Sequence, residues 1–364
     1  MYKESDLVRI AKRENNKMRN YLVVNRLQGK HVPVEPARAM EMFSDLAKVF
    51  QESYKNENLL CVGFAETATA IGAGVAFAAG AKYMQTTREI IPDVEYLFFS
   101  EEHSHATEQK LVKDDIDKVM DEIDRIVFVE DEVTTGKTIL NIIQILEKQY
   151  PGKVRYAVAS ILNGMNEESL KEYQKREIDL HYLVKTNHDE YPAIADSLAG
   201  DGTYVPADTR EAKVREIVVK NAMNARRLVD ADAYQKACEE LWSAVKEQVN
   251  LPENASILVV GTEEFMYPAL YVAKKMQENG NTVRCHSTTR SPIAVSSEER
   301  CPLHVRYELK SLYDKERVTF IYDIAAYDMV VVITDAYNEE TEGQNTLINA
   351  LKTKNNNINL VRWC

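Results

Sequence analysis

Two adjacent carboxylates and a hydroxyl-rich, glycine-containing turn make the densest chemistry in this chain: Glu130-Asp131-Glu132-Val133-Thr134-Thr135-Gly136-Lys137-Thr138. Ionised Glu130 and Asp131 only accept hydrogen bonds, which suits two neighbouring sugar hydroxyls, and either can ligate a hard cation such as Mg²⁺. Thr134, Thr135 and Thr138 add hydroxyl donors, and Gly136 lets the backbone approach a phosphate closely or take a positive φ. The turn lies between an apolar run, residues 126–129, and a helix-like segment, residues 139–147. That order reads as buried strand, anion-binding loop and helix, with outward-facing N–H groups at the helix start. Gly136-Lys137-Thr138 is not the tail of a P-loop, which needs a glycine five positions earlier, where Asp131 stands. The plain alternative is a strand–turn–helix whose acids merely cap the helix.

Other candidates flank it. Gly63-Phe64-Ala65-Glu66-Thr67-Ala68-Thr69 follows an apolar strand and opens a helix, a second ready anion site; Glu66 or Thr67 as a simple N-cap is the compatible alternative. Residues 100–110 gather Glu101, Glu102, His103, His105 and Lys110 in an expected loop. In an extended segment the two histidines share a face, and the plain alternatives are a metal-binding His-x-His or a solvated turn.

The elements that position these groups alternate. Expected strands at 59–63, 83–87, 96–99, 126–129 and 154–162 are separated by helices, which implies a mostly parallel sheet covered on both faces. Ligands in such sheets bind beyond the carboxyl ends of the strands. Residues 209–249 are charged, amphipathic and free of Gly and Pro, and read as one or two connecting helices. A boundary at Leu251-Pro252 precedes a new strand at 256–260. Beyond it the first half is echoed: a strand, glycine, acid-bearing loop and helix from Ile257 resemble those from Leu59, and Thr288-Thr289-Arg290 matches Thr86-Thr87-Arg88. Asp335 is the candidate counterpart of Asp131. A diverged duplicate with a weakened phosphate loop is the expectation, and chance likeness between two α/β halves the alternative.

Composition sets the bounds. With 364 residues, two domains are expected, and 28% charged with 45% hydrophobic residues is ordinary for a globular protein. The net charge of −12 argues against a nucleic-acid or anionic-membrane surface. No stretch approaches the roughly 18 apolar residues of a membrane span, and the first residues lack a signal-peptide core. Five dispersed cysteines without a CxxC pair read as free thiols, so a cytoplasmic location is expected and a zinc site is not.

The 130–138 segment resembles the signature of type I phosphoribosyltransferases, which bind 5-phosphoribosyl-1-pyrophosphate (PRPP). Together with Gly29-Lys30-His31, residues 101–107 and Thr289-Arg290-Ser291-Pro292, the chain resembles a family that fuses such a domain to a C-terminal TRSP domain. The family is associated with bacterial stress and tellurite-resistance gene clusters. The resemblance implies an α/β fold: a mostly parallel sheet of the type I phosphoribosyltransferase kind, followed by a second α/β domain. The expected domains are 1–208, a helical connector at 209–250, and 251–364. It implies ribose contacts from Glu130 and Asp131, a 5-phosphate cradle at Val133, Thr134, Thr135, Gly136, Lys137 and Thr138, and a pyrophosphate loop at Ala65, Glu66, Thr67 and Ala68. Arg88 and Lys110 would meet the leaving group, and His103 or His105 on a mobile lid would move a proton. Glu132 departs from the family pattern and is expected to point to solvent. Lys30, His31, Glu101 and Glu102, with Glu263, Arg290 and Ser291, are acceptor-pocket or second-site candidates. The implied reaction transfers phosphoribosyl from PRPP to a nitrogen of a nucleobase-like acceptor, releasing pyrophosphate with Mg²⁺ held by Glu130 and Asp131, in biosynthesis of a nucleotide-like metabolite by an expected homodimer. A non-catalytic PRPP-binding regulator and a PRPP synthetase-like tandem are the alternatives.

Overall fold

In the computed structural model, residues 2–14, 19–99, 109–337 and 341–364 are described. They divide into two units, each built on its own parallel sheet. The first comprises residues 1–4, 40–187 and 223–236. Its six strands run in the order Val229–Asp230, Lys82–Gln85, Leu59–Gly63, Arg125–Val133, Arg155–Asn163, Asp179–Lys185. All neighbours are parallel except the Val229–Asp230 edge, which is antiparallel. Leu59–Gly63 is buried at every position, the mark of a strand covered on both faces.

The motif strand, Arg125–Val133, runs past its apolar stretch. Glu130 pairs with Ser160, Glu132 with Leu162 and Val133 with Asn163, so the acids are strand residues rather than the start of a loop. The neighbouring Arg155–Asn163 strand is equally long, and its ladder outweighs the polarity of the side chains. At the other end of the motif strand Arg125, 5% exposed, donates to Glu57 Oε2 at 2.8 Å and Asp179 Oδ2 at 3.0 Å. Its guanidinium also lies 4.0 Å from the Tyr54 ring centroid.

The second unit comprises residues 5–39, 188–222 and 237–364. Its five strands are all parallel: Arg215–Val219, Ile358–Trp363, Met329–Thr334, Ser256–Gly261, Thr282–Ser287. These units differ from the expected boundaries in two places. An antiparallel hairpin, Val8–Arg13 with Tyr21–Asn25, adds Ile293–Ala294 as a third strand and belongs to the second unit. The cause is apolar packing: Ala11, Leu22 and Val24 share a buried cluster with Ile293, Val295, Leu303, Phe320 and Tyr322. The segment expected to be a purely helical connector contains the strands Arg215–Val219 and Val229–Asp230 before its helix, Ala231–Gln248. Arg215–Val219 is too short to show a clear alternation of its own, and pairing with Ile358–Trp363 decides its conformation.

The two units repeat one topology. In each, a strand ending in glycine leads through a loop to a helix, Thr69–Ala79 or Tyr267–Glu278. A second strand follows, then an antiparallel pair, Tyr96–Phe99 with Gln109–Val112 or Val305–Lys310 with Val318–Tyr322. A central strand, a helix (Lys137–Gln149 or Thr341–Lys352) and a further parallel strand complete the pattern. Details recur: Thr86 N–H donates to Gly63 O at 2.9 Å and Thr288 N–H to Gly261 O at 3.1 Å. Thr87 bridges Lys110 as Thr289 bridges Phe320. Val62 lies opposite Phe128, three residues before Asp131; Val260 lies opposite Val332, three before Asp335. Asp335 thus holds the register of Asp131.

Two consequences are measurable. A Cβ on Gly72 would lie 2.7 Å from Gly63 Cα, so Gly72→Ala is expected to cost about 1–3 kcal/mol through overpacking, read as a lower denaturation midpoint. His286, fully buried, has Nε2 2.9 Å from Tyr322 O and Nδ1 3.4 Å from Gly29 O. Burial lowers its pKa to about 4, below the ordinary 6.5. The unfolded chain therefore takes up the proton first, and stability is full above pH 6.5 and falls as pH drops from 6.5 to 4, by about 3 kcal/mol at most. His286→Gln, less stable at pH 7, is expected to show a shallower decline of the thermal midpoint over that window.

Candidate functional site

In the first unit the strand Leu59–Gly63 ends beside the motif strand, which runs on to Val133. Gly63 pairs with Val129, and Phe64 N–H donates to Val129 O at 3.1 Å, so the loop after Gly63 leaves the sheet beside Glu130, and the motif loop leaves after Val133. Both face the carboxyl ends of the strands, where open α/β sheets bind ligands.

The motif loop turns on Gly136, whose φ of 72° is left-handed and which caps the helix Lys137–Gln149 without a side-chain hydrogen bond. A Cβ there would collide with the Tyr173 hydroxyl and Met165 Cε. Tyr173, fully buried, donates to Gly136 O at 2.7 Å. Burial, then the nearby Glu130 carboxylate, raises its pKa far above the usual phenol value, so it stays a donor. A small cleft of about 70 Å³ opens here, lined by Glu130, Glu132, Val133, Thr134, Thr135, Gly136 and Thr138. A single water needs only ~10–15 Å³ on this scale, so the cleft admits a larger group.

Strand alternation sorts the acids. Glu130 and Glu132 share a face and line the cleft, whereas Asp131 Oδ1 accepts from the Glu132 N–H at 2.8 Å. Glu132 was expected to point to solvent; it is half-buried beside Glu130, because the strand continues through it. Lys137 is exposed.

The neighbouring loop is clipped from two sides. Ala65 N–H donates to Thr86 Oγ1 at 2.8 Å, and Gln109 Nε2 donates to Ala65 O at 2.9 Å. Thr86 and Gln109 also hydrogen-bond each other. The Ala65–Glu66 peptide is cis. The helix Thr69–Ala79 has Ala68 as its N-cap and no side-chain cap bond, so neither Glu66 nor Thr67 caps it. An uncapped helix start of this kind favours anions.

Arg88 lies half-buried in the turn after Lys82–Gln85. Lys110 Nζ donates to Arg88 O at 3.4 Å and sits 5.4 Å from the Tyr96 ring centroid. The structure therefore brings Arg88 and Lys110 together beside the Thr87 bridge. Glu101, Glu102, His103 and His105 lie outside the described residues. Thr86, Gln109 and Tyr173 were missed by sequence reasoning. The Thr-Thr-Arg echo marked Thr86 as notable, but nothing near Tyr173 signals that it supports a glycine 37 residues away.

In the second unit the corresponding loop is Thr262-Glu263-Glu264-Phe265. Glu263 stands where Ala65 stands, its N–H donating to Thr288 Oγ1 at 3.0 Å as Ala65 donates to Thr86. Its carboxylate, 1% exposed, accepts from Ser311 Oγ at 2.6 Å, Arg317 Nη1 at 2.9 Å and Arg290 Nε at 3.1 Å. Arg290 Nη2 also reaches Glu264 Oε1 at 2.6 Å. Lys30, fully buried, donates to Glu263 O at 2.6 Å. Lys30 and His31 pack with this unit rather than with the first. Ser291 O accepts from the Tyr322 hydroxyl at 2.6 Å, and Asp335 Oδ1 from the Tyr313 hydroxyl at 2.7 Å.

Comparison with known proteins finds two families. One described as phosphoribosyl transferase matches residues 7–188, half of the chain, and the TRSP domain, described as C-terminal to it, matches residues 226–351. Among solved structures, adenine phosphoribosyltransferase from Rhodothermus marinus is 14% identical, with a TM-score of 0.36, covering 50% of this chain and 96% of its own. The Giardia lamblia enzyme, complexed with 9-deazaadenine, is 17% identical with a TM-score of 0.35, covering 52% of this chain and 100% of its own. No curated protein matches.

Proposed function

The chain belongs to the phosphoribosyl transferase family, and from that membership we propose that its first unit transfers 5-phosphoribosyl from PRPP to a nitrogen of a nucleobase-like acceptor and releases pyrophosphate. The observation that carries the reading is the threonine-lined cleft at the end of the motif strand, with Glu130 on its rim and the Ala65–Glu66 loop on the adjacent strand. Hydroxyls of Thr134, Thr135 and Thr138 and the start of the helix Lys137–Gln149 would hold the 5-phosphate. Carboxylates of Glu130 and Asp131 would accept from the ribose hydroxyls. The neighbouring loop and uncapped helix start would hold pyrophosphate, with Arg88 and Lys110 close by.

In the reaction the ribosyl C1–oxygen bond to pyrophosphate breaks as the bond from the acceptor nitrogen to C1 forms, and the nitrogen loses its proton. The first unit would contribute orientation, by fixing phosphate and ribose together, and charge complementarity at the leaving oxygen. The oxygen donors of Glu130 and Asp131 suit Mg²⁺, which binds through one or two carboxylates plus substrate phosphates. When bound, it would neutralise charge on the departing pyrophosphate. A role in making a nucleotide-like metabolite follows from the same reading.

The second unit is read as taking no PRPP. A buried carboxylate, Glu263, stands where the first unit's loop has Ala65, and Arg290, the counterpart of Arg88, is paired with it and with Glu264.

Three outcomes are expected. Asp131→Ala and Glu130→Ala keep the far-ultraviolet circular dichroism of the parent but lower PRPP-dependent pyrophosphate release by about 100-fold or more, comparable to losing a preorganised charge contact; undiminished release would refute the assignment. Chelation of Mg²⁺ stops turnover, and its return restores it. Calorimetric titration gives one PRPP per chain, whereas two would contradict the reading of the second unit.

A further inference from the structure

The second unit has a cleft of about 670 Å³, formed by elements that take no part in either strand-end loop. Its cationic lining is entirely arginine: Arg9, Arg26, Arg38, Arg284 and Arg300. Only 19 of the chain's 45 basic residues are arginine, so a chance gathering of surface cations would include lysines. Arginine's planar fork binds carboxylate and phosphate oxygens two at a time, which a lysine ammonium cannot do.

Nearby acids do not use up this charge. Of the three in the lining, Asp6, Glu35 and Glu299, Glu35 already accepts from Gln277 Nε2 at 2.9 Å. Arg9 is held by the carbonyls of Ser5 and Val8, and Arg300 pairs with Glu298 at 2.6 Å. The side chains of Arg26, Arg38 and Arg284 make no hydrogen bond or ion pair with any described residue. Each nevertheless sits on a fixed backbone. Arg26 follows the strand Tyr21–Asn25, with its N–H bonded to Leu7 O at 2.9 Å. Arg284 is within Thr282–Ser287, and Arg38 is in the first turn of the helix Pro36–Gln51. Tyr327 and Pro33 supply apolar wall.

We propose that this cleft is a binding site for a small polyanion carrying at least two phosphate or carboxylate groups. The volume falls within the roughly 300–1,000 Å³ of small-molecule sites. In a chain of net charge −12 the long-range field opposes an anion, so capture depends on several arginines engaging at once. The site is separate from PRPP binding in the first unit, and neither requires the other.

The test is calorimetric titration of the full chain, without added magnesium, using tripolyphosphate in one arm and citrate in the other. At least one is expected to bind, identifying phosphate or carboxylate as the preferred group. Arg26→Ala/Arg284→Ala, both at exposed positions, is expected to weaken that binding by about 10-fold or more, while thermal midpoint and PRPP turnover stay at the parent level. Arg26→Lys/Arg284→Lys is expected to lose several-fold, since charge alone does not replace the fork. Binding of neither anion, or equal binding by the parent and the alanine variant, overturns the proposal.

Discussion

The hydrogen bond from Phe64 N–H to Val129 O, at 3.1 Å, closes the ladder between two parallel strands at the point where one releases its loop and the other runs on through its acids. The proposed site of the first unit depends on that register. A slip of one residue in either strand would turn Glu130 and Glu132 away from the Thr134–Gly136 side, because strand side chains alternate faces. The register is protected by apolar residues packed on both faces of the sheet and by Arg125, locked to Glu57 and Asp179 at the far end of the motif strand. Glycine at 63 and 72 then lets the helix after the loop approach the strand more closely than any side chain would permit.

The second unit keeps this frame but places a buried ion-pair network at the loop. The Thr288 hydroxyl still clips the loop N–H, yet the residue it clips is Glu263 rather than Ala65. A buried carboxylate needs partners, and Arg290, Arg317 and Ser311 converge on it. Such a network adds little net stability compared with well-packed apolar residues, but removing one partner strands the remaining charge, at about 3–5 kcal/mol. Once formed, it is held in place by the cost of dismantling it one residue at a time.

Sequence alone carried the motif strand, its helix, the loop after Leu59–Gly63 and the repeat as far as Asp335, because each is a local pattern of apolar run, turn residue and helix. Three features escaped it, each for a nonlocal reason. Strand pairing extended Arg125–Val133 through its acids and so brought Glu132 into the cleft. Apolar packing against Phe320 and Tyr322 took the Val8–Arg13 hairpin, with Lys30 and His31 beyond it, into the second unit. Gln109 and Tyr173 act through contacts 44 and 37 residues distant in sequence, which no spacing rule reports.

That hairpin bears on how the halves of the chain relate as folding units. A cut near residue 250, natural on composition, would deprive the second unit of both strands of its hairpin and of the edge strand Arg215–Val219. The exposed flank of Ile358–Trp363 would then present unpaired backbone groups, and the cluster around Phe320 and Tyr322 would lose Ala11, Leu22 and Val24. The second unit is therefore completed by sequence that precedes the motif as well as by sequence that follows it. The order of segments along the chain ties its folding to sequence on both sides of the motif.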